Sequence, residues 1–266
     1  MDRKQKNKAT ILKFIKDFGK SSNRIRRTSR ISRRDVILTL FPALLWPVLI
    51  SLRPVTIDPR CAATPASCTE HSVPSLDRFA LGQDSWKADL LSYYSQNTAG
   101  VLAGATPALL HFTRAALGRL SPALAMQIAA TDFVIFFQTL AWNGLITESV
   151  RQVAQRPRPF VYQDPANLGQ NSANYTSFYS GHTSFVAAIT TYWVLTFLSR
   201  DVPFWMLLTS ILSSQALIVI TAMGRVLSGR HFASDVIAGA VAGALVGLGV
   251  TWIHRMRRRR DSEVES

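Results

Sequence analysis

Six apolar stretches, over residues 36–52, 98–112, 123–146, 183–198, 204–223 and 236–254, limit what this chain can fold into. A helix needs about 20 apolar residues to cross a hydrocarbon core, so each stretch is a candidate membrane span. The second is the shortest and contains Gly100, Gly104 and Pro107. The charges around it argue for keeping it. Lys and Arg gather on the cytoplasmic side of membrane proteins, and here thirteen fall in residues 1–34 and five more in the stretch HRMRRRR near the C-terminus. Two basic ends on one side require an even number of crossings. The expected fold is therefore all-α, an integral membrane helical bundle with about six transmembrane helices. It divides into a basic cytoplasmic tail (1–34), a transmembrane domain (35–254) and a cytoplasmic C-terminal tail (255–266).

A net charge of +14 would suit a nucleic-acid binder if it were spread over a soluble surface. It is concentrated instead in tails that flank apolar segments, where basic residues set topology and touch anionic headgroups, so the expected partner is the bilayer and not nucleic acid. Six spans place 21 of the 30 Lys and Arg in the cytoplasm. Of the nine outside, Arg151, Arg156, Arg158, Arg225 and Arg230 sit in two loops on one exterior face, against the positive-inside bias. An anionic partner accounts for them. The basic N-terminal region is too long for a cleavable signal peptide, so the first apolar run is expected to stay as an anchor. Cys61 and Cys68 lack nearby His partners for zinc, and their exterior placement favours a disulfide. The loop over 53–89 is rich in Pro, Ser and Thr, with room for a short interfacial helix near LDRFALG.

Three elements share the exterior face: Arg151-x6-Arg158-Pro159 within VRQVAQRPRPF, then Tyr179-Ser180-Gly181-His182, then Arg225-x5-His231-x3-Asp235. Guanidinium groups present paired planar donors to phosphate oxygens, so Arg151, Arg158 and Arg225 arriving from separate loops would form an oxyanion clamp. Ser180 and Gly181 open the fourth helix, where backbone N–H groups and the dipole favour an anion and glycine permits close approach. His231 and Asp235 are four apart and share a helix face. A carboxylate holding one imidazole nitrogen leaves the other to attack phosphorus, and a second imidazole, His182, supplies the proton a departing alkoxide needs. Plainer readings apply elsewhere. His71, His111 and His254 read as hydrogen-bonded structural residues, and Asp132, costly within an apolar run, as one with a structural partner. Asp235 as a simple helix cap explains that residue but not His182, Ser180 and the exterior arginines together. Gly239, Gly243 and Gly247 form a stripe for close helix packing, which Asp235 continues.

In this order and on one face, the three elements resemble the signature of the type 2 phosphatidic acid phosphatase superfamily, K-x6-RP, PSGH and SR-x5-H-x3-D. As architecture the resemblance extends over about residues 90–254. It implies a metal-independent phosphatase with no cofactor, a phosphohistidine intermediate on His231, and His182 and Asp235 in the roles above. The pattern leaves positions 156 and 230 free, which makes Arg156 and Arg230 rim charges. Arg151, Tyr179 and Gly224 stand where the pattern has Lys, Pro and Ser. The expected function is hydrolysis of a lipid phosphate or diphosphate in a prokaryotic inner membrane, with both termini cytoplasmic and the active site periplasmic. Polyprenyl diphosphate, phosphatidic acid, phosphatidylglycerol phosphate and lipid A all meet that description, and the oligomeric state is left open. A lipid phosphotransferase using the same intermediate is the alternative within the chemistry. A non-catalytic lipid-phosphate binding or transport protein is the alternative outside it, though the presence of both His182 and His231 argues against that. Haloperoxidases share the signature, but an apolar multi-helix chain fits them poorly.

Overall fold

The computed structural model describes residues 31–264, and among these the protein is helical, with no strands. Six long helices carry it: α1 (Arg33–Thr56), α2 (Trp86–Ala116), α3 (Pro122–Ala154), α4 (Gly181–Ser199), α5 (Phe204–Leu227) and α6 (Ala233–Val264). Serine begins four of them. Ser32 and Asp35 cap α1 reciprocally, and Ser85, Ser121 and Ser180 accept from the N–H of Ala88, Leu124 and Thr183 at the third positions of α2, α3 and α4. α3 stops at Gln155, whose φ of 42° is left-handed. The run Arg156-Pro157-Arg158-Pro159 follows, where proline cannot continue a helix.

α4 is the centre of the bundle. It packs on α2, α3, α5 and α6, and Val186, Ala187, Ala188 and Ile189 have no exposed surface. Its tightest neighbour is α6, through the glycine stripe. A Cβ on Gly239, Gly243 or Gly247 would lie 2.7 Å from the Ser180 carbonyl oxygen, 2.1 Å from that of Ser184 and 2.3 Å from that of Ala188. Residues four apart on each helix thus meet along one seam. The seam ends at the loops that precede α4 and α6, where the Ser180 N–H donates to the Asp235 carbonyl at 3.0 Å. Packing between the two helices therefore sets the register of the YSGH turn against the start of α6. α1 lies on α3, with Trp46 on Gly144, where a Cβ would sit 2.4 Å from the indole.

Among the described residues, four stretches are long and apolar enough to cross a membrane: Arg33–Ser51, Pro122–Tyr162, Phe204–Leu227 and Ala233–Met256. The expected spans at 98–112 and 183–198 form helices but are not among the four. α4 is enclosed by protein and so accommodates buried Thr183, Ser184, Thr190 and Thr196. α2 turns Ser92, Ser95, Ala99 and Ala103 inward and keeps its apolar side chains, among them Leu91, Val101 and Leu109, on the outside.

At the end of the bundle far from those loops lies a layer of polar residues. Asp132 pairs with Arg200 and with His111 at 2.9 Å, and Tyr192 donates to the Asp132 carbonyl at 2.8 Å. His254 reaches Gln138 at 2.6 Å, and Gln138 donates to the Asp35 carbonyl at 2.9 Å. Asp132, His111 and His254 are therefore structural, as their sequence context implied, while His71 is exposed in a one-turn element. α6 runs on past His254 to Val264, so the segment expected as a C-terminal tail continues the helix over its described part. Most of the basic tail over 1–34 lies outside the described residues. LDRFALG forms a 3-10 turn, Arg78–Ala80, and not an interfacial helix.

Candidate active site

The last turn of α3 and its loop, the start of α4, the end of α5 and the start of α6 meet at one end of the bundle, and all eight residues expected to carry the chemistry belong to these segments. His231 lies in the short α5–α6 connection and is buried. Its Nδ1 is 2.8 Å from the backbone carbonyl of Ser177 and 3.8 Å from Asp235 Oδ2. A carbonyl only accepts, so Nδ1 carries the hydrogen, and the lone pair of the neutral ring is on Nε2. The Ser177 carbonyl is thus the nearer partner of His231 and Asp235 the farther.

Asp235 has no exposed surface. It accepts from the Phe232 N–H at 3.0 Å, the Ser177 hydroxyl at 2.5 Å and Arg156 Nη1 at 2.6 Å. It caps α6 and at the same time fixes Ser177, and through Ser177 the imidazole. Arg156 is not the rim charge the sequence suggested. It bridges Asp235 to Asp77 at 2.7 Å, donates to Ser234 Oγ at 2.8 Å and lies over the Phe232 ring. Asp77 also accepts from the Ser234 N–H at 2.8 Å. Arg230 does remain at the rim, half exposed and 3.5 Å from Asp89.

The clamp is built from three directions. Arg151, at the end of α3, lies against Gly181, where a Cβ would come within 2.6 Å of its Nη2. Any larger residue there would push the guanidinium aside. Arg151 also sits 3.7 Å from Glu148, which forms a two-pronged pair with Arg53. Arg158 donates to Thr176 Oγ1 at 3.1 Å, and Arg225 to Asp89. Tyr179 accepts at its hydroxyl from Thr147 at 3.3 Å, and its carbonyl faces Arg151 Nη2 at 3.4 Å. Gly181 and His182 are the first two residues of α4, whose N–H groups have no acceptor within a helix. A cavity of about 260 Å³ is lined by Arg151, Arg158, Gly181, His182 and His231 and continues to Trp46, Leu140, Gly144 and Phe185.

Four buried nitrogens here have no hydrogen-bond partner among the described residues: Nε of Arg151, Arg158 and Arg225, and Nε2 of His182. Buried polar atoms are rarely left so, and together they suit an anion of several acceptor oxygens. Burial pushes the His231 imidazole down to about 3, with Arg158 and Arg225 adding to the effect and Asp235 opposing it. Burial, then the Arg225 charge, depresses His182 to about 2. Both rings are neutral near pH 7 in the protein alone.

The segment between α1 and α2 forms a cap that packs on the loop between α3 and α4. Cys61 and Cys68 are joined by a disulfide, with Cα atoms 5.6 Å apart. They pack with Ile57 against Val161 and Tyr175, and the Tyr175 hydroxyl donates to the Gly169 carbonyl at 2.8 Å and accepts from the Cys61 N–H at 2.9 Å. Asp77, Ser177, Asp89, Tyr93 and Trp46 were not singled out from the sequence. Asp and Ser are common in loops and caps, and nothing near them in the chain marks them as facing His231 or an arginine.

The family model of the PAP2 superfamily matches residues 132–259, a segment that includes His182, His231, Asp235 and all three clamp arginines. No curated protein and no solved structure matches the chain. α1 and α2 lie outside the matched segment and add Trp46 and Gln96 to the cavity wall. Over residues 132–259 the chain is thus similar to the PAP2 superfamily.

Proposed function

We propose that the protein is an integral membrane phosphatase that hydrolyses the phosphate or diphosphate end of a lipid, by way of a phosphohistidine on His231. The superfamily supports phosphatase activity on phosphate esters, and four apolar helices support a membrane setting. The observation that carries the reading is the group of buried, unpartnered nitrogens on Arg151, Arg158, Arg225 and His182 beside a histidine whose hydrogen is held on Nδ1. In the first step Nε2 of His231 attacks phosphorus and a P–N bond forms. The P–O bond to the lipid breaks, and the departing alkoxide takes a proton from His182. In the second step water attacks phosphorus and gives a proton to His182, while the P–N bond breaks, returns its electron pair to Nε2 of His231 and releases inorganic phosphate. The arginines stabilise negative charge on the equatorial oxygens in both steps, without a metal. His182 is neutral in the protein alone, so its proton arrives with a monoanionic phosphate, whose charge also offsets the arginines that depress the imidazole.

Leu140 precedes Arg151 by eleven residues on α3, about 16 Å along the helix, and both line the cavity. A phosphate with an apolar chain attached fits such a shape. Six spans, with α2 and α4 beside the four more apolar helices, put both termini in the cytoplasm and the site on the opposite face, in a prokaryotic inner membrane the periplasmic one. The test is release of inorganic phosphate by purified protein in detergent from a panel of lipid phosphates and diphosphates, with and without chelator. The reading expects turnover of at least one lipid, indifferent to chelator. No release from any lipid, or release that requires an added divalent metal, contradicts it.

A further inference from the structure

The start of α2 bears directly on the site from outside the matched segment. Asp89 accepts from Arg225 Nη1 and lies 3.5 Å from Arg230 Nη2. The Ser92 hydroxyl is 3.4 Å from the same Nη1. The Tyr93 ring meets His182 edge to face, with centroids 4.7 Å apart and planes at 85°, and its centroid is 5.7 Å from the guanidinium carbon of Arg225. This closeness depends on Gly224, where a Cβ would stand 2.7 Å from the Ala88 carbonyl oxygen and 2.9 Å from Ser92 Cβ. α2 cannot yield there, because it is fastened along α5. The Ser85 N–H donates to the Leu227 carbonyl at 3.1 Å, Ser95 Oγ donates to the Leu217 carbonyl at 3.0 Å, and Thr221 donates to Ser95 at 2.9 Å. The serine that the PAP2 signature has at this position does not fit beside α2, and Ser92 offers its hydroxyl to Arg225 from the other helix.

We propose that Asp89 and Tyr93 are positioning residues for phosphoryl transfer, Asp89 fixing the guanidinium plane of Arg225 and Tyr93 the imidazole of His182, with Gly224 as the residue that admits α2. The proposal rests on the phosphatase reading of the same site. An arginine has several free rotors, and a carboxylate on one Nη holds the plane while Nε stays available to an anion. An edge-to-face ring contact restricts the tilt of an imidazole in the same way.

The experiment compares wild type with Asp89→Asn, Asp89→Glu, Tyr93→Leu and Gly224→Ser as full chains in detergent. It reads kcat/KM on an alkyl and an aryl phosphate, vanadate binding, and melting temperature. Asp89→Asn is expected to weaken vanadate binding and lower kcat/KM by roughly tenfold or more, as loss of a desolvated charge partner does, with little change in melting temperature. Asp89→Glu regains part of the loss. Tyr93→Leu depresses the alkyl substrate more than the aryl one, because only the poor leaving group needs the proton of His182. Gly224→Ser, although it restores the signature residue, lowers activity as Asp89→Asn does. Wild-type vanadate binding and kcat/KM in Asp89→Asn, an equal loss on both substrates in Tyr93→Leu, or full activity in Gly224→Ser would overturn the proposal. If the wild type binds vanadate but releases no phosphate from any ester, the phosphatase reading fails, and Asp89→Asn still decides the proposal through vanadate binding alone. If the wild type binds no vanadate either, both fall.

Discussion

His182 and His231 are set apart by their surroundings. His231 has an acceptor for Nδ1 in the Ser177 carbonyl, whereas His182 keeps Nε2 buried and unpartnered. The first arrangement suits a nucleophile and the second a donor to a departing oxygen. His182→Ala should therefore slow hydrolysis of an alkyl phosphate by roughly 100-fold or more, the usual scale of lost acid catalysis, and an activated aryl ester far less. Single-turnover phosphorylation rates for the two substrates read this without interference from product release. An equal loss on both would make His182 a binding residue. The buried ring of His231 has a second consequence. Its pKa in the folded protein, about 3, lies below the unfolded value near 6.5, so between these the unfolded chain binds more protons. Stability then rises with pH across that window, is complete above it, and is lost as pH falls. The melting temperature of wild type should drop more between pH 7.5 and pH 5 than that of His231→Gln, and an identical drop in the two would contradict the assigned burial. Of the residues that line the cavity, Arg151, Arg158, His182 and His231 were legible because each is a charged or imidazole group in a short motif. Ser177, Asp77 and Asp89 were not, because what they do depends on chain segments that only the fold brings beside them. Arg156 was misread for the same reason: its partners Asp77 and Asp235 lie 79 residues before it and 79 after it.

Among the helices, the α4–α6 seam links the membrane to the chemistry. Gly243 faces the Ser184 carbonyl with no room for a methyl group, whereas a Cβ on Gly249 would meet nothing within 4 Å. Gly243→Val should destabilise the protein by about 3 kcal/mol or more, since overpacking against backbone has no side chain to yield. It should also reduce activity, because the seam holds the YSGH turn against Asp235. Gly249→Ala should leave both unchanged. Melting temperature and phosphate release in detergent check the pair, and a stable, active Gly243→Val would show that the seam is not what sets the site. The stripe itself was legible from its spacing of four. Its partner on α4, made of Ser180, Ser184 and Ala188, was not, since small residues with hydroxyls look like loop or surface until a facing helix is placed on them.

Across the whole molecule, two polar layers bound an apolar bundle. Nineteen residues of α3 separate Asp132 in one layer from Arg151 in the other, about 28 Å at 1.5 Å each, close to the thickness of a hydrocarbon core. The basic tails and the even number of long helices follow from hydropathy and charge, which is why the architecture could be read from the sequence. The two expected spans that fall outside the four are those whose inward faces are polar or small, because packing against protein removes the need for apolar side chains there. The cap was legible only as a loop with two cysteines, and its contribution of Asp77 to the brace under Asp235 was hidden by distance in the chain. The central claim is phosphoryl transfer to His231, and a phosphoenzyme trapped by rapid alkaline quench from a substrate labelled at phosphorus tests it most directly. The account predicts a label that survives alkali, is lost in acid, maps to His231 and is absent in His231→Ala, which should also have no measurable turnover. A label that persists in His231→Ala, or turnover in that variant near the wild-type rate, would contradict it.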